Sequence, residues 1–381
     1  MATNSFVTAE LIAERALPLL AENTAMLPLV YRGEYDGTFA RQGDTIQVRK
    51  PVRATSIDTS GDISSAISDT KENSVNVTLD KQRGVARSLS SKEMTMNIDD
   101  FERIVVVPAV TAIAENVNSD ILGLYTDIPY FTGTSGSTPD DLPDLANVGK
   151  VLNNNNAPMD SRALVMDYDA LAKFQALDSI VEVDKSGTNA ALRQGILGQV
   201  YGMTLASDGQ IKTHTAGGYT ALTDVIIAAG GAGATSITLE SAAGASTAKL
   251  LKGDLLVIDG YQFVVTAETA AAVAGDIATV NIYPALPMAF DDFASDAVTF
   301  PDESAYAHVA NLGFHRDAFA LAMAPLEAPM GGANSAVLNY RGLSIRIIMD
   351  YAFGTDKNQI RFDVLYGVKT MYPELAVRLL G

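Results

Sequence analysis

The chain contains no cysteine and no tryptophan, and only three of its 381 residues are histidine. The missing cysteines exclude a disulfide framework, a thiolate-ligated zinc site and thiol catalysis, and they suit a reducing cytoplasm. Positive charge is also scarce, with 27 basic residues against 45 acidic ones and a net charge of −18. That balance disfavours sequence-specific DNA reading, because phosphate contacts need concentrated lysine and arginine. No stretch reaches 18 apolar residues, so no membrane span is expected. The first 14 residues lack the basic-then-apolar order of a secretory signal. Neither a GxGxxG nor a Walker A stretch occurs, which removes the phosphate loops that cradle nucleotides.

What is present is apolar and orderly. At 48% hydrophobic the chain can bury cores for two domains. Its charge is uneven: nine basic and seven acidic residues lie between Ala40 and Met96. Between Ala216 and Ala305 only Lys249 and Lys252 oppose eleven acidic residues.

Leu11, Ile12, Arg15, Ala16 and Leu19 recur at helical spacing over 8–20, a short helix or docking arm weakened by Pro18. Alternation predicts strands over Thr45–Arg49 and Val75–Leu79, framing a polar loop of some 20 residues that needs a partner to justify its entropy. Asp99 with Glu102 reads as a capping pair. From there Val106, Val110, Ile113, Val117, Ile121 and Leu124 predict a helix of roughly 25 residues, kinked early by Pro108.

Residues 132–144 read as a linker. A helix over 145–152, a strand over Arg162–Met166, a helix over 169–177 and another over 189–200 make an α/β stretch. From about Ala216 to Ala305 the chain turns Ala-, Gly-, Val- and Ile-rich. Strands are expected near 235–240, 255–258, 261–265 and 277–283, with Asp259-Gly260 as a hairpin turn. Such strands predict a small β-barrel inserted into a host domain. The host resumes near Tyr306, with strands over 344–349 and 359–366 and a final segment over 373–380.

Candidate chemistry is sparse. His308 and His315 lie seven apart without a patterned third ligand and read as structural histidines. Asp350, Asp356 and Asp363 read as no more than turn and strand carboxylates, and Asp291-Asp292 with Asp302-Glu303 lack the EF-hand pattern. No catalytic, cofactor-binding or metal-ligating residue is therefore expected. Arg49, Lys50, Arg53, Lys81, Arg83 and Arg87 are the positive exceptions. They form either a solvated face or contacts to an acidic neighbouring subunit.

Several segments, in this order, resemble the major capsid proteins of tailed bacteriophages, in particular the P22-type coat protein branch of the HK97-fold family. They are 10–18, Leu79-Asp-Lys-Gln-Arg-Gly-Val-Ala-Arg87, Phe314-His-Arg-Asp-Ala-Phe-Ala-Leu321, Tyr366-Gly-Val-Lys and Pro373-Glu-Leu-Ala. The resemblance covers essentially the whole chain and implies an α+β, HK97-like capsid fold with a long spine helix, an extended β-hairpin loop and an inserted small β-barrel domain. By position it implies an N-terminal arm at 1–40, the extended loop at 41–95 and the spine helix with a peripheral region at 96–139. It then implies an axial and peripheral α/β part at 140–215, the inserted barrel at 216–305 and the return of the core at 306–381.

The function so implied is a non-enzymatic coat protein that self-assembles into the icosahedral shell enclosing packaged double-stranded DNA. The shell would be of T=7 type, matured from a procapsid by expansion and made late in infection. Implied partners are further copies in hexameric and pentameric capsomers, a scaffolding protein, a portal protein at one vertex, DNA contacted non-specifically and, where the shell carries one, a decoration protein. No membrane is implied; assembly would occur in the host cytoplasm and the product would be a virion. The rival reading is a β-rich surface or adhesin-like binding protein using 216–305 as its module, which calls for an export signal.

Overall fold

The structure is a computed structural model and describes residues 9–22, 25–32, 43–49, 74–90, 102–182, 197–218, 225–241, 249–273, 276–290, 298–301, 307–329, 334–340, 343–352 and 357–381. It is a mixed α+β architecture with few helices and much sheet. In chain order come α1 (Ala9–Glu22), β1 (Tyr31–Arg32), β2 (Thr45–Arg49), β3 (Ser74–Thr78), β4 (Lys81–Ser90) and α2 (Val107–Leu122). Next are β5 (Phe131–Gly133), α3 (Leu142–Asn154), β6 (Arg162–Met166), α4 (Tyr168–Gln175), α5 (Asp178–Val181), β7 (Gln199–Val200), β8 (Met203–Ser207) and β9 (Thr213–Thr215). Then follow β10 (Val225–Ala229), β11 (Ser236–Ser241), β12 (Leu255–Ile258), β13 (Tyr261–Val265), β14 (Ile277–Tyr283) and β15 (Val298–Thr299). The chain ends with β16 (Ala307–His315), β17 (Phe319–Ala324), β18 (Asn334–Tyr340), β19 (Leu343–Ala352), β20 (Lys357–Thr370) and β21 (Ala376–Leu380).

Two compact units share these elements. The first comprises 1–23, 31–116 and 319–371. Its sheet runs β1-β17-β20-β19-β18, with β4 on the opposite side of β20. The 14-residue β20 organises the unit: it pairs with β19 over 357–363, with β17 over 365–370, and with all ten residues of β4. Helix α1 packs on β18 and β19 and buries Ile12, Ala13, Ala16 and Leu20, a three-and-four spacing that places them on one face. The expected docking arm thus docks on its own sheet, and the helix continues through Pro18.

The predicted strand pair forms as β2 and β3, antiparallel with Thr45 opposite Thr78 and Arg49 opposite Ser74. Its polar loop lies outside the described residues. A Cβ at Gly367 would overlap the Thr78 carbonyl, so only glycine lets the end of β3 lie against β20.

The long helix has three parts. Glu102–Val106 is a π-helical turn, Val107–Leu122 is α-helical, and Gly123–Asp127 is 3₁₀. The π turn directly precedes Pro108, whose missing N–H and bulky ring forbid a regular bond back to residue 104. The capping role expected of Asp99 lies outside the described residues. Arg103–Asp127 is, by length and composition, one helix long and apolar enough to cross a membrane, which the count of uninterrupted apolar residues did not register. Half of that window is buried, as the periodicity implies: Val106, Val110, Ile113, Val117 and Ile121 are all buried.

The second unit comprises 24–30, 117–318 and 372–381. Its host sheet runs β5-β21-β16-β6-β8-β7, with β9 also on β16. Strand β6 is buried along its whole length, between β16 on one side and β8 on the other, and this accounts for its unbroken apolar run. The 132–144 stretch is not a plain linker. It contributes to β5, which pairs in parallel with β21, and α3 starts at Leu142 because Pro143 suits a first turn. The helix expected over 189–200 ends differently, since Gln199–Val200 is a strand paired with β8; 189–196 lie outside the described residues.

Between β9 and β16 lies a six-stranded antiparallel sheet of order β10-β11-β14-β13-β12-β15. It curls around one apolar core that includes Ile227, Ile237, Leu239, Leu256, Phe263, Val280 and Phe290, and its outer strands β10 and β15 approach each other. The Asp259-Gly260 hairpin forms as expected. Ile258 pairs with Tyr261, and φ is +46° at Asp259 and +80° at Gly260, the left-handed pair a two-residue turn requires.

Candidate functional site

The basic residues singled out from sequence separate into two groups. Arg49 closes β2, and its side chain, like all of Lys50 and Arg53, lies outside the described residues. Lys81, Arg83 and Arg87 fall at odd positions of β4 and therefore share one face of that strand. Arg83 and Arg87 are exposed and Lys81 is half-buried. Among the described residues β4 pairs only with β20, so its second edge carries no described strand. An edge strand dressed with lysine and arginine resists indiscriminate pairing while offering a charged surface.

On the other face of β4 the side chains are Gln82, Gly84, Ala86 and Ser88. The small residues make room for a buried charge on β20. Asp363 is fully buried; it accepts from Arg346 Nη2 at 2.6 Å and from Arg361 Nε at 2.7 Å. A Cβ at Gly84, directly opposite in register, would overlap the Asp363 carboxylate. Beside this row lies a groove of about 420 Å³ lined by Ala86, Arg87, Ile348, Asp350, Gln359 and Arg361. Asp350 and Asp363 therefore do not converge: Asp350 is exposed, Asp363 is neutralised by arginine, and Asp356 lies outside the described residues.

The histidines regroup as well. His308 is buried on β16 opposite His214 of β9, whereas His315 stands near Asp160 and Asp317 at 4.0 and 3.8 Å. The two thus act apart, since an odd separation along a strand points side chains to opposite faces.

His214 belongs to a buried network. Its Nδ1 is 3.0 Å from the Tyr125 hydroxyl and its Nε2 is 2.9 Å from Asp254 Oδ1. Asp254 is fully buried and also accepts from the backbone N–H of Gly217, at 3.1 Å to Oδ2, and of Leu251, at 2.8 Å. Arg378, also fully buried, donates to the Gly253 carbonyl at 2.7 Å and lies 5.3 Å from the Tyr125 ring centroid. Burial, helped by His214 and Arg378, lowers His308 to about 3, so its imidazole is neutral near pH 7. Burial raises Tyr125 above the ordinary tyrosine value.

No substrate-sized cleft opens onto this network among the described cavities, and no group of three histidine, aspartate or glutamate side chains among the described residues is placed to hold a metal. Sequence reasoning missed it because its members lie up to 253 positions apart (Tyr125 to Arg378) and only folding brings them together.

No protein-family model matches the sequence, and no curated protein matches it. Among solved structures, the chain is similar to one from Mycobacterium phage Che8, at 14% identity and a TM-score of 0.49, covering 93% of this chain and 90% of the other. It is similar to the capsid of Ralstonia phage GP4 at 10% identity and 0.49, covering 92% and 86%. It is also similar to the capsid of Helicobacter pylori bacteriophage KHP30 at 11% and 0.45, covering 93% and 87%. The second and third of these are phage capsid structures. With TM-scores below 0.5, the functional reading rests on the chain's own elements.

Proposed function

We propose that this chain is a shell-building subunit, the major capsid protein of a tailed bacteriophage with an HK97-like fold of the P22-type branch. The observation that carries the reading is the order of elements. An arm helix, a strand pair framing a polar loop, a helical run over Arg103–Asp127 and a host sheet interrupted by a six-stranded antiparallel insert follow one another along the chain. That is the sequence of parts the motif resemblance calls for. In this reading the helical run is the spine, 41–95 the extended loop, and 216–305 an inserted barrel that supports folding and meets neighbouring subunits.

The chain would then assemble with itself into hexameric and pentameric capsomers of a T=7 procapsid, together with scaffolding and portal proteins. Expansion would accompany DNA packaging, and the surplus negative charge would suit an inner wall that does not trap DNA. The exposed basic face of β4 would meet acidic surface on a neighbouring copy.

Expression alone and with the scaffolding protein, followed by sedimentation and negative-stain microscopy, tests the reading. Closed shells or curved sheets of ring-like capsomers are expected. A folded, strictly monomeric species under both conditions refutes it. Within that experiment, Arg83→Glu is expected to abolish shells while leaving the monomer's circular dichroism unchanged; wild-type shell yield would remove β4 from the interface.

A further inference from the structure

Besides the Tyr283 hydroxyl donating to Glu374 at 2.6 Å and a rim pair of Lys252 and Asp127, the inserted sheet meets its host through two kinds of contact, and they differ in chemistry. One is apolar and neutral. Leu255 and Val264 of the insert pack with Leu380 of β21 and with Phe131 of β5, and the Gln262 amide donates to and accepts from the Phe131 backbone at 3.1 and 3.2 Å. The other is the buried network around Asp254. It grips the insert where the chain leaves β9, through Gly217, and again at the 249–254 turn. Both glycines there are demanded by close approach. A Cβ at Gly217 would lie 2.8 Å from Asp254 Oδ2, and one at Gly253, where φ is +100°, would lie 3.1 Å from His214 Cε1.

We propose that the network of Asp254, His214 and His308 is an acid-released latch that holds the root of the inserted domain to the host sheet, while the apolar contacts act as the hinge that remains. The inference concerns the folded chain and stands whether or not the capsid reading holds.

Four elements set polar or charged groups against the histidines. They are Tyr125 from the 3₁₀ turn after α2, Asp254 from the insert, His214 from β9 and Arg378 from β21. Lys252 and Asp127 form a half-exposed pair at the rim, 2.9 Å apart. His214 is held from both sides, Nδ1 facing the Tyr125 hydroxyl at 3.0 Å and Nε2 facing Asp254 Oδ1 at 2.9 Å. His308 lies beside it, with ring centroids 5.4 Å apart.

A proton on His308 would place a cation against Arg378 and His214 with one carboxylate to balance them. Opening the root relieves that conflict by admitting water.

The sign follows from linkage. His308 holds its proton below about 3 when closed and near the ordinary histidine value of 6.5 when open. Proton uptake therefore favours the open root as pH falls from 6.5 towards 3, by up to tenfold per pH unit. Above 6.5 both forms are neutral and the equilibrium is flat.

Hydrogen exchange read by mass spectrometry, corrected for intrinsic rates, tests this between pH 7.5 and 4.5. In the wild type, amides of 213–217 and 249–254 are expected to open at least tenfold more at pH 4.5. Amides of the β11–β14 pairing and of β5 should stay within threefold. His308→Leu should flatten the root's response; if that variant does not fold, His308→Gln serves the same purpose. An unchanged root across the range, an equal response in the His308 variant, or simultaneous exposure of β11–β14 and the host sheet would each overturn the latch.

Discussion

Replacing Asp363 by asparagine should be among the most damaging single changes in the first unit. Its carboxylate is fully buried between two guanidinium groups of unequal freedom: the Arg346 side chain is 13% exposed and that of Arg361 is 53% exposed. When the charge disappears, Arg361 can turn to water at small cost, as exposed ion pairs contribute about 1 kcal/mol or less. Arg346 cannot. It retains its bond to the Glu327 carbonyl at 2.6 Å but becomes a largely buried cation without a counter-charge. Removing one partner of such a pair costs about 3–5 kcal/mol, and the remaining carbonyl bond sets the expectation near the lower end, about 3 kcal/mol.

Urea unfolding followed by tyrosine fluorescence is a suitable assay, because the chain has no tryptophan and Tyr366 is fully buried on the same strand. With a slope of about 2–3 kcal/mol per molar, the midpoint should fall by about 1 M. The cycle of Asp363→Asn, Arg346→Gln and the double variant should give a coupling above about 1 kcal/mol, whereas Arg361→Gln alone should cost less than about 1 kcal/mol. A loss below about 1 kcal/mol for Asp363→Asn, or additive single losses, would refute the assignment of Asp363 as the sheet's charge centre.

Two further expectations concern side-chain space and a third concerns backbone conformation. Gly313→Ala would set a methyl 2.5 Å from Val148 Cγ1 beneath α3 and should cost about 1–3 kcal/mol, lowering Tm. Gly123→Ala meets nothing within 4 Å and should be neutral or stabilising by up to about 1 kcal/mol in the same thermal melts. Gly260→Ala forces a side chain into φ +80° at the β12–β13 turn and should cost about 1–2 kcal/mol, seen as faster amide exchange in that hairpin. Slower exchange there would contradict the turn assignment.

Local pattern carried much of the fold. Alternation located β2, β3, β12, β13 and β14 to within a residue or two, because each strand puts one face on a core and the other towards water. Helical spacing found α3, which starts three residues earlier than expected, and the run around α2, which divides into π, α and 3₁₀ parts. What local pattern does not encode is which distant strand becomes a neighbour. β4 reads as a polar, basic stretch, yet it lines up residue for residue with β20, almost 280 positions later. The room for Asp363 comes from Gly84, a residue that looks like a turn signal in sequence.

The candidate site followed the same division. Lys81, Arg83 and Arg87 were legible as an unusual basic cluster, whereas the Asp254 network was not. Its carboxylate sits 40 residues from His214, and His308 is tied to His214 by strand register alone.

The pairing of β9 with β16 has a consequence for how the chain tolerates its insert. Thr215 and Ala307 face each other across an antiparallel pair, so their Cα atoms stand about 5 Å apart. Roughly ninety residues therefore depart and return through adjacent doors, and the host sheet keeps its register whatever lies between them. In chain path alone, the insert is equivalent to a long hairpin loop. A short turn joining those two strands would span the same gap, and among the described residues the host sheet's hydrogen-bond ladder contains no rung that the excursion itself supplies.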